Sequence, residues 1–186
     1  MKRVLLLAAL ALAACATPLP EFADEDPPLT AVGYLDVDRF MGRWYLIANI
    51  PYFAERGQVA PYVEYSLRPD GLIDDRYTAR DAFDQEPFVK QGMIEITNPI
   101  TRSEGRITFL PPLWQDYAVL FLDQEYRYSM IGHPSREYCW LFARDPHFDA
   151  AVYDAMLAVA RANGFDTSRI LKIPQKPEDL GAPGYQ

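Results

Sequence analysis

The chain has 186 residues, enough for one domain and too few for two of ordinary size. Hydrophobic residues make up 49% and charged residues 24%, a globular balance that argues against disorder. The formal net charge is −8, so phosphate backbones repel the chain and nucleic-acid binding is not expected; anionic lipid repels it too, so membrane attachment needs a separate device.

The N-terminus carries that device. Lys2 and Arg3 precede an unbroken run of Val, Leu and Ala from Val4 to Ala14. The run is too short to span a hydrocarbon core, which needs roughly 20 helical residues, but it suits the apolar region of a signal peptide. It ends Leu12-Ala13-Ala14-Cys15, which resembles the bacterial lipobox, in which the cysteine is lipidated and becomes the new N-terminus. Several acyl chains on Cys15 would hold a membrane firmly where one would not. An ordinary secretory peptide cleaved near Ala14 also fits the composition. Removing residues 1–14 leaves 16 basic residues against 26 acidic ones. From Ala16 to about Thr30, Pro and acidic residues dominate without any apolar period, which predicts a semi-rigid, self-repelling spacer.

From Val32 onward, short apolar runs alternate with turn signals at roughly ten-residue spacing, the pattern of an all-β sandwich or barrel. The aromatic content of 13% agrees, since Tyr and Phe suit pleated, half-buried surfaces. The predicted strands are Gly42–Ile50, Tyr62–Arg68, Leu72–Arg80, Phe88–Thr97, Gly105–Leu110, Asp116–Leu122, Arg127–Gly132 and Glu137–Arg144. Pro69-Asp70-Gly71 is a turn with a mechanism, because Pro presets φ and Gly accepts positive φ. The period then changes. Phe148–Asn163 places Val152, Met156, Val159 and Ala160 at helical spacing, with Asp149 as N-cap and Gly164 as stop. Ile170–Ile173 reads as a last strand, and the Pro-rich tail beyond it is expected to be loose. Eight antiparallel strands and one helix fit an up-and-down β-barrel with the helix packed outside; closure removes exposed edges and leaves room for one small ligand. The predicted organisation is a signal peptide over 1–14, a lipidated cysteine and linker over 15–31, the barrel and helix over 32–174, and the tail over 175–186.

At Gly42-Arg43-Trp44-Tyr45, at Asp123 to Tyr126 and at Arg144 within Trp140–Pro146, the sequence resembles the lipocalin family, with Leu122 where the second motif usually has Thr. The resemblance spans about residues 32–173 and is narrowest to bacterial outer-membrane lipocalins and apolipoprotein D. The residues themselves fit this reading. A barrel end needs sealing, and an arginine laid over a tryptophan face seals it, so Arg144 is expected to cover Trp44. Gly42 would allow the N-terminal segment to pass closely. By the same resemblance, with no Asp after Cys15, the outer membrane and a domain facing the periplasm are implied.

Strand alternation sorts the interior. In the second strand Val63, Tyr65 and Leu67 point inward and Glu64 and Ser66 outward. In the third, Asp75, Tyr77 and Ala79 share the inner face, while Arg76, Thr78 and Arg80 read as solvent-facing. The resemblance to apolipoprotein D implies that Tyr65, Tyr77 and Trp140 face the ligand. Rings that merely fill a solid core are the alternative. An apolar pocket with a few hydroxyls suits an acyl chain with a polar head near the mouth. Arg56, in the first hairpin loop, has the planar fork that could meet a phosphate or carboxylate, but a solvated loop arginine is the simpler reading of that position.

The expected function is capture of fatty acids, lysophospholipids or similar lipids, with the bacterial membrane as partner through the anchor. A lipocalin-fold isomerase using Cys139 is a second class, but alternation turns Cys139 outward if Trp140 faces inward. With only two His and no recurring nucleophile or metal-ligand cluster, neither catalysis nor a cofactor or metal is expected. A tethered, ligand-free scaffold, as a homodimer through exposed aromatics, is the third.

Overall fold

The computed structural model describes residues 27–147 and 149–186. The signal peptide, Cys15 and most of the spacer lie outside the described residues.

Among the described residues nine strands form one sheet: β1 (Gly42–Ile50), β2 (Val59–Leu67), β3 (Ile73–Arg80), β4 (Phe88–Ile96), β5 (Glu104–Leu110), β6 (Leu113–Leu122), β7 (Tyr128–Gly132), β8 (Cys139–Ala143) and β9 (Leu171–Lys172). Each strand from β2 to β7 pairs antiparallel with the next, and β1 pairs with both β8 and β2. The first eight strands therefore close a barrel, and β9 attaches to β1 beside Ala48 and Asn49. The eight closing strands lie between Gly42 and Ala143.

Bulges bend the wall. In β1 the register shifts between Leu46 and Ala48, so Ile47 and Ala48 both pack outside, and the inward face resumes at Asn49. One cluster fills the lower barrel around Trp44, Leu46, Val63, Tyr65 and Phe142. The second lies between the outer wall and helix α2 (Ala150–Ala162). Asp149 caps α2, accepting from the Ala151 amide at 2.7 Å, and Gly164 ends it at φ +83°. Met156 and Ala160, fully buried, lie on its inner face. Burying a methionine side chain of this kind contributes roughly 1.5–3 kcal/mol.

One turn of helix, α1 (Val37–Phe40), crosses the closed end before β1. Its four residues are too few to leave a periodic signature in the sequence.

Three expectations need correction. The end of the spacer is docked, not free: Thr30 N donates to Asn163 Oδ1 at 2.7 Å, and Leu29 and Ala31 pack on the outer cluster. The tail, expected to be loose, folds back. Lys172 N donates to Gly184 O and Gln186 N to Lys172 O, both at 2.9 Å, and Gln186 Nε2 reaches Asn49 Oδ1 at 2.6 Å. These polar groups satisfy the open edge of β9, which the Pro-rich composition did not signal. Thr78, read as solvent-facing, is buried, with its hydroxyl unpartnered.

Candidate functional site: the barrel cavity

The closed end is built first. Trp44 is fully buried, and its indole N–H donates to Phe40 O at 2.7 Å. The Arg144 guanidinium lies 3.9 Å from the Trp44 ring centre. It also donates to Arg43 O at 2.7 Å, Met41 O at 2.8 Å, Arg39 O at 2.9 Å, Phe40 O at 3.2 Å and Tyr126 O at 3.3 Å. One cation therefore satisfies the carbonyls of α1, its exit and the β6–β7 turn while covering the ring. Gly42 stands beside it at φ +89°, and a Cβ there would meet Arg144 Nη1 at 3.4 Å. Phe40 stacks on Tyr65 at 5.7 Å and completes the floor.

Above this floor lies a cavity of about 370 Å³, within the range of small-molecule sites. Its wall includes Leu46, Val63, Tyr65, Asp75, Tyr77, Ile94, Ile107, Tyr117, Ile131, Trp140 and Phe142. The interior is thus hollow and mostly apolar. Phe109, Leu110 and Leu113 belong to the lining as well and are substantially exposed, so the cavity opens beside the β5–β6 hairpin.

The expected contacts divide. Val63, Tyr65, Tyr77 and Trp140 line the cavity. Ala79 is buried in the same cluster but lies outside the lining. Leu67 does not belong: it is 46% exposed at the far end of β2, past the floor. Alternation gives a side chain's face but not its depth, and the inward face of Leu67 lies below the plug. Arg56 is also displaced. It is exposed in an outer groove with Arg169, Leu171 and Gln186, because the one-turn helix Phe53–Glu55 aims Glu55 inward and sends the next residue out.

The residues missed are polar. Glu55 accepts from Trp140 Nε1 at 3.1 Å, from Asn49 Nδ2 at 3.0 Å and from Tyr52 N at 3.3 Å. Burial pushes its carboxyl up, while these bonds and the Lys90 charge oppose the shift. Lys90, on β4, lines the cavity and reaches Ala54 O at 3.4 Å; it, not Arg56, is the cation of the site. Tyr77 donates to Gln58 Oε1 at 2.5 Å. The mouth loop is therefore held by polar side chains that enter the barrel. A lone acid in a surface loop and a lysine in a strand give no periodic signal of this.

Asp75 sits one inward step below Tyr77 toward the floor, opposite Tyr65 on β2 and Gly92 on β4. It is 3% exposed, and its Oδ1 has no hydrogen-bond partner. Burial, with the Glu55 charge adding, pushes its carboxyl up to about 7.

Cys139 is fully buried on the outer face of β8 under α2, and burial pushes its thiol up to about 12. It does not line the cavity. Among the described residues no group of three or more His, Cys, Asp or Glu could hold a metal ion, and no helix is long and apolar enough to cross a membrane.

The comparisons with known proteins agree with this geometry. The lipocalin-like domain family matches residues 35–175. The chain is 33% identical over 171 residues to the outer membrane lipoprotein Blc of Escherichia coli K12, covering 90% of this chain and 92% of that one. It is 25% identical over 151 residues to apolipoprotein D of Macaca fascicularis, covering 76% and 77%. Apocrustacyanin C2 superposes with a TM-score of 0.63 at 16% identity, covering 77% of this chain and 81% of that one, a likeness of fold alone. With the eight-stranded closed barrel, the sealed floor and the family match over most of its length, the chain belongs to the lipocalin family.

Proposed function

We infer that this lipocalin captures hydrophobic ligands such as fatty acids or lysophospholipids in its barrel, for storage, transport or envelope maintenance. The observation that carries the reading is the hollow interior: about 370 Å³ with a mainly apolar wall, closed at one end and open at the other. Tyr65, Tyr77, Val63 and Trp140 are the assigned contacts. Lys90 and Glu55 are the polar groups that line the cavity near its mouth. The chain acts as a binder and not as a catalyst.

The reading includes an anchor. Lipidation at Cys15 would tether the domain to a bacterial outer membrane with the barrel facing the periplasm. The lipobox-like Leu12–Cys15 and the likeness to outer membrane lipoproteins support this.

The test uses residues 16–186. Lipid extracted from the purified protein is identified by mass spectrometry, and a fatty acid is titrated while tryptophan emission is followed. Saturable quenching near one equivalent is expected. Trp140→Ala should weaken binding by roughly tenfold, about 1.4 kcal/mol, with the far-ultraviolet dichroism unchanged. No extractable lipid and no saturable quenching would leave a tethered scaffold or homodimer as the better reading.

A further inference from the structure

We propose that Asp75 is a binding site for a cationic amine, and that the cavity prefers a hydrophobic ligand ending in an ammonium group over the carboxylate of the same chain length. The proposal rests on the ligand-binding reading above and names the ligand class of that same cavity.

The argument begins with a carboxyl group that the fold leaves unmatched. Buried acids are ordinarily hydrogen-bonded or paired, because an isolated carboxylate loses hydration that an apolar wall does not replace. Asp75 Oδ1 has no partner, and the side chain belongs to the cavity lining. Its neighbour across β4 is Gly92, which has no side chain to offer. No basic side chain among the described residues forms an ion pair with it.

The groups facing the cavity from the surrounding elements do not fill this role. Glu55, from the mouth loop, is a second acid and acts on Asp75 by repulsion. Lys90, from β4, is engaged near the mouth with Ala54 O and the Phe88 ring, and its charge acts on Glu55. Arg144 lies under the floor, bonded to five carbonyls. Tyr65 from β2, Tyr77 from the same strand and Tyr117 from β6 all feel the Asp75 charge, and their buried phenols are held neutral. With both carboxyls ionised, two acids and one lysine would leave the interior short of one positive charge.

An ammonium group supplies that charge together with donors for the unpartnered oxygen, and the tyrosine faces are favourable to a cation. The ligand would enter ammonium first, with its apolar chain running from Asp75 past Tyr77 and Trp140 toward Phe109 and Leu113 at the mouth. The proton balance follows from burial. The carboxyl of the empty cavity titrates near 7, so binding of an ammonium at neutral pH ionises Asp75 and releases up to one proton to the buffer. A carboxylate entering the same way has the opposite sign and meets Asp75, away from Lys90 at the mouth.

The test displaces the neutral fluorescent probe N-phenyl-1-naphthylamine from residues 16–186 with dodecylamine, dodecanoate or dodecanol, all below micelle-forming concentrations. At pH 8 dodecylamine should bind roughly tenfold more tightly than dodecanoate, and the amine-to-alcohol affinity ratio should fall about tenfold in Asp75→Asn. If that variant does not fold, the native protein still decides: the amine-to-alcohol ratio should rise from pH 5 to pH 8. Calorimetry near pH 6, in two buffers of different ionisation heat, should show proton release with the amine only. An amine-to-alcohol ratio independent of pH and of Asp75 would overturn the proposal while leaving lipid capture intact. Failure of all three ligands and of the probe to bind would overturn both.

Discussion

Arg144 and Asp75 are two charges that the barrel treats in opposite ways. Arg144 is matched by carbonyls and a ring at every donor face, so its planar fork matters as much as its charge. Arg144→Lys keeps the charge and loses the fork. It should lower the unfolding free energy by about 2–3 kcal/mol, read from urea midpoints with an unchanged slope. Asp75 should act through pH. Its native carboxyl holds its proton to about 7, whereas in the unfolded chain it ionises near 4. Between these values the native state binds more protons, so the stability of the empty protein is full below about pH 4 and declines as pH rises through 7. The expected decline from pH 5 to 8 is on the order of 1–4 kcal/mol, with Glu55, also raised, contributing in the same direction. Asp75→Asn should flatten most of this slope in urea titrations at the two pH values.

At the level of strands and helices, what could be read from the chain depended on whether a signal repeats. The eight barrel strands recur as short apolar runs between turn signals and α2 carries a period of 3.6, and each lies within a few residues of its predicted span. The helix α1 is shorter than one readable period. Leu67 and Ala79 show the limit of alternation, which assigns a wall face but cannot say how high the floor stands. Asp75 was on the inner face by the same rule, yet only three-dimensional packing reveals that nothing meets its oxygen. Glu55 and Lys90 are ordinary polar residues in sequence, and the loop's return into the barrel makes them part of the site. Strand packing also makes a prediction at Gly105. A Cβ there would lie 2.7 Å from Glu95 O, a backbone atom of the neighbouring strand, and 2.8 Å from the Tyr117 hydroxyl. Gly105→Ala should therefore cost about 1–3 kcal/mol in thermal or urea unfolding, and it should also disturb Tyr117 in the cavity wall.

For the whole molecule, a strongly acidic body attached to a surface requires an anchor that owes nothing to charge. If Cys15 carries that anchor, Cys15→Ser should move the protein from the membrane pellet to the soluble fraction in cell fractionation. The barrel's own stability should not change, because the eight strands that close it lie between Gly42 and Ala143.

The seat of Cys139 between β8 and α2 turns the outer cluster into something measurable. A maleimide or disulfide reagent reaches that sulfur only when the helix lifts from the wall, so the labelling rate in the absence of denaturant clocks that local opening. A ligand that tightens the barrel without touching α2 would leave the clock unchanged, whereas one that couples to the helix would slow it.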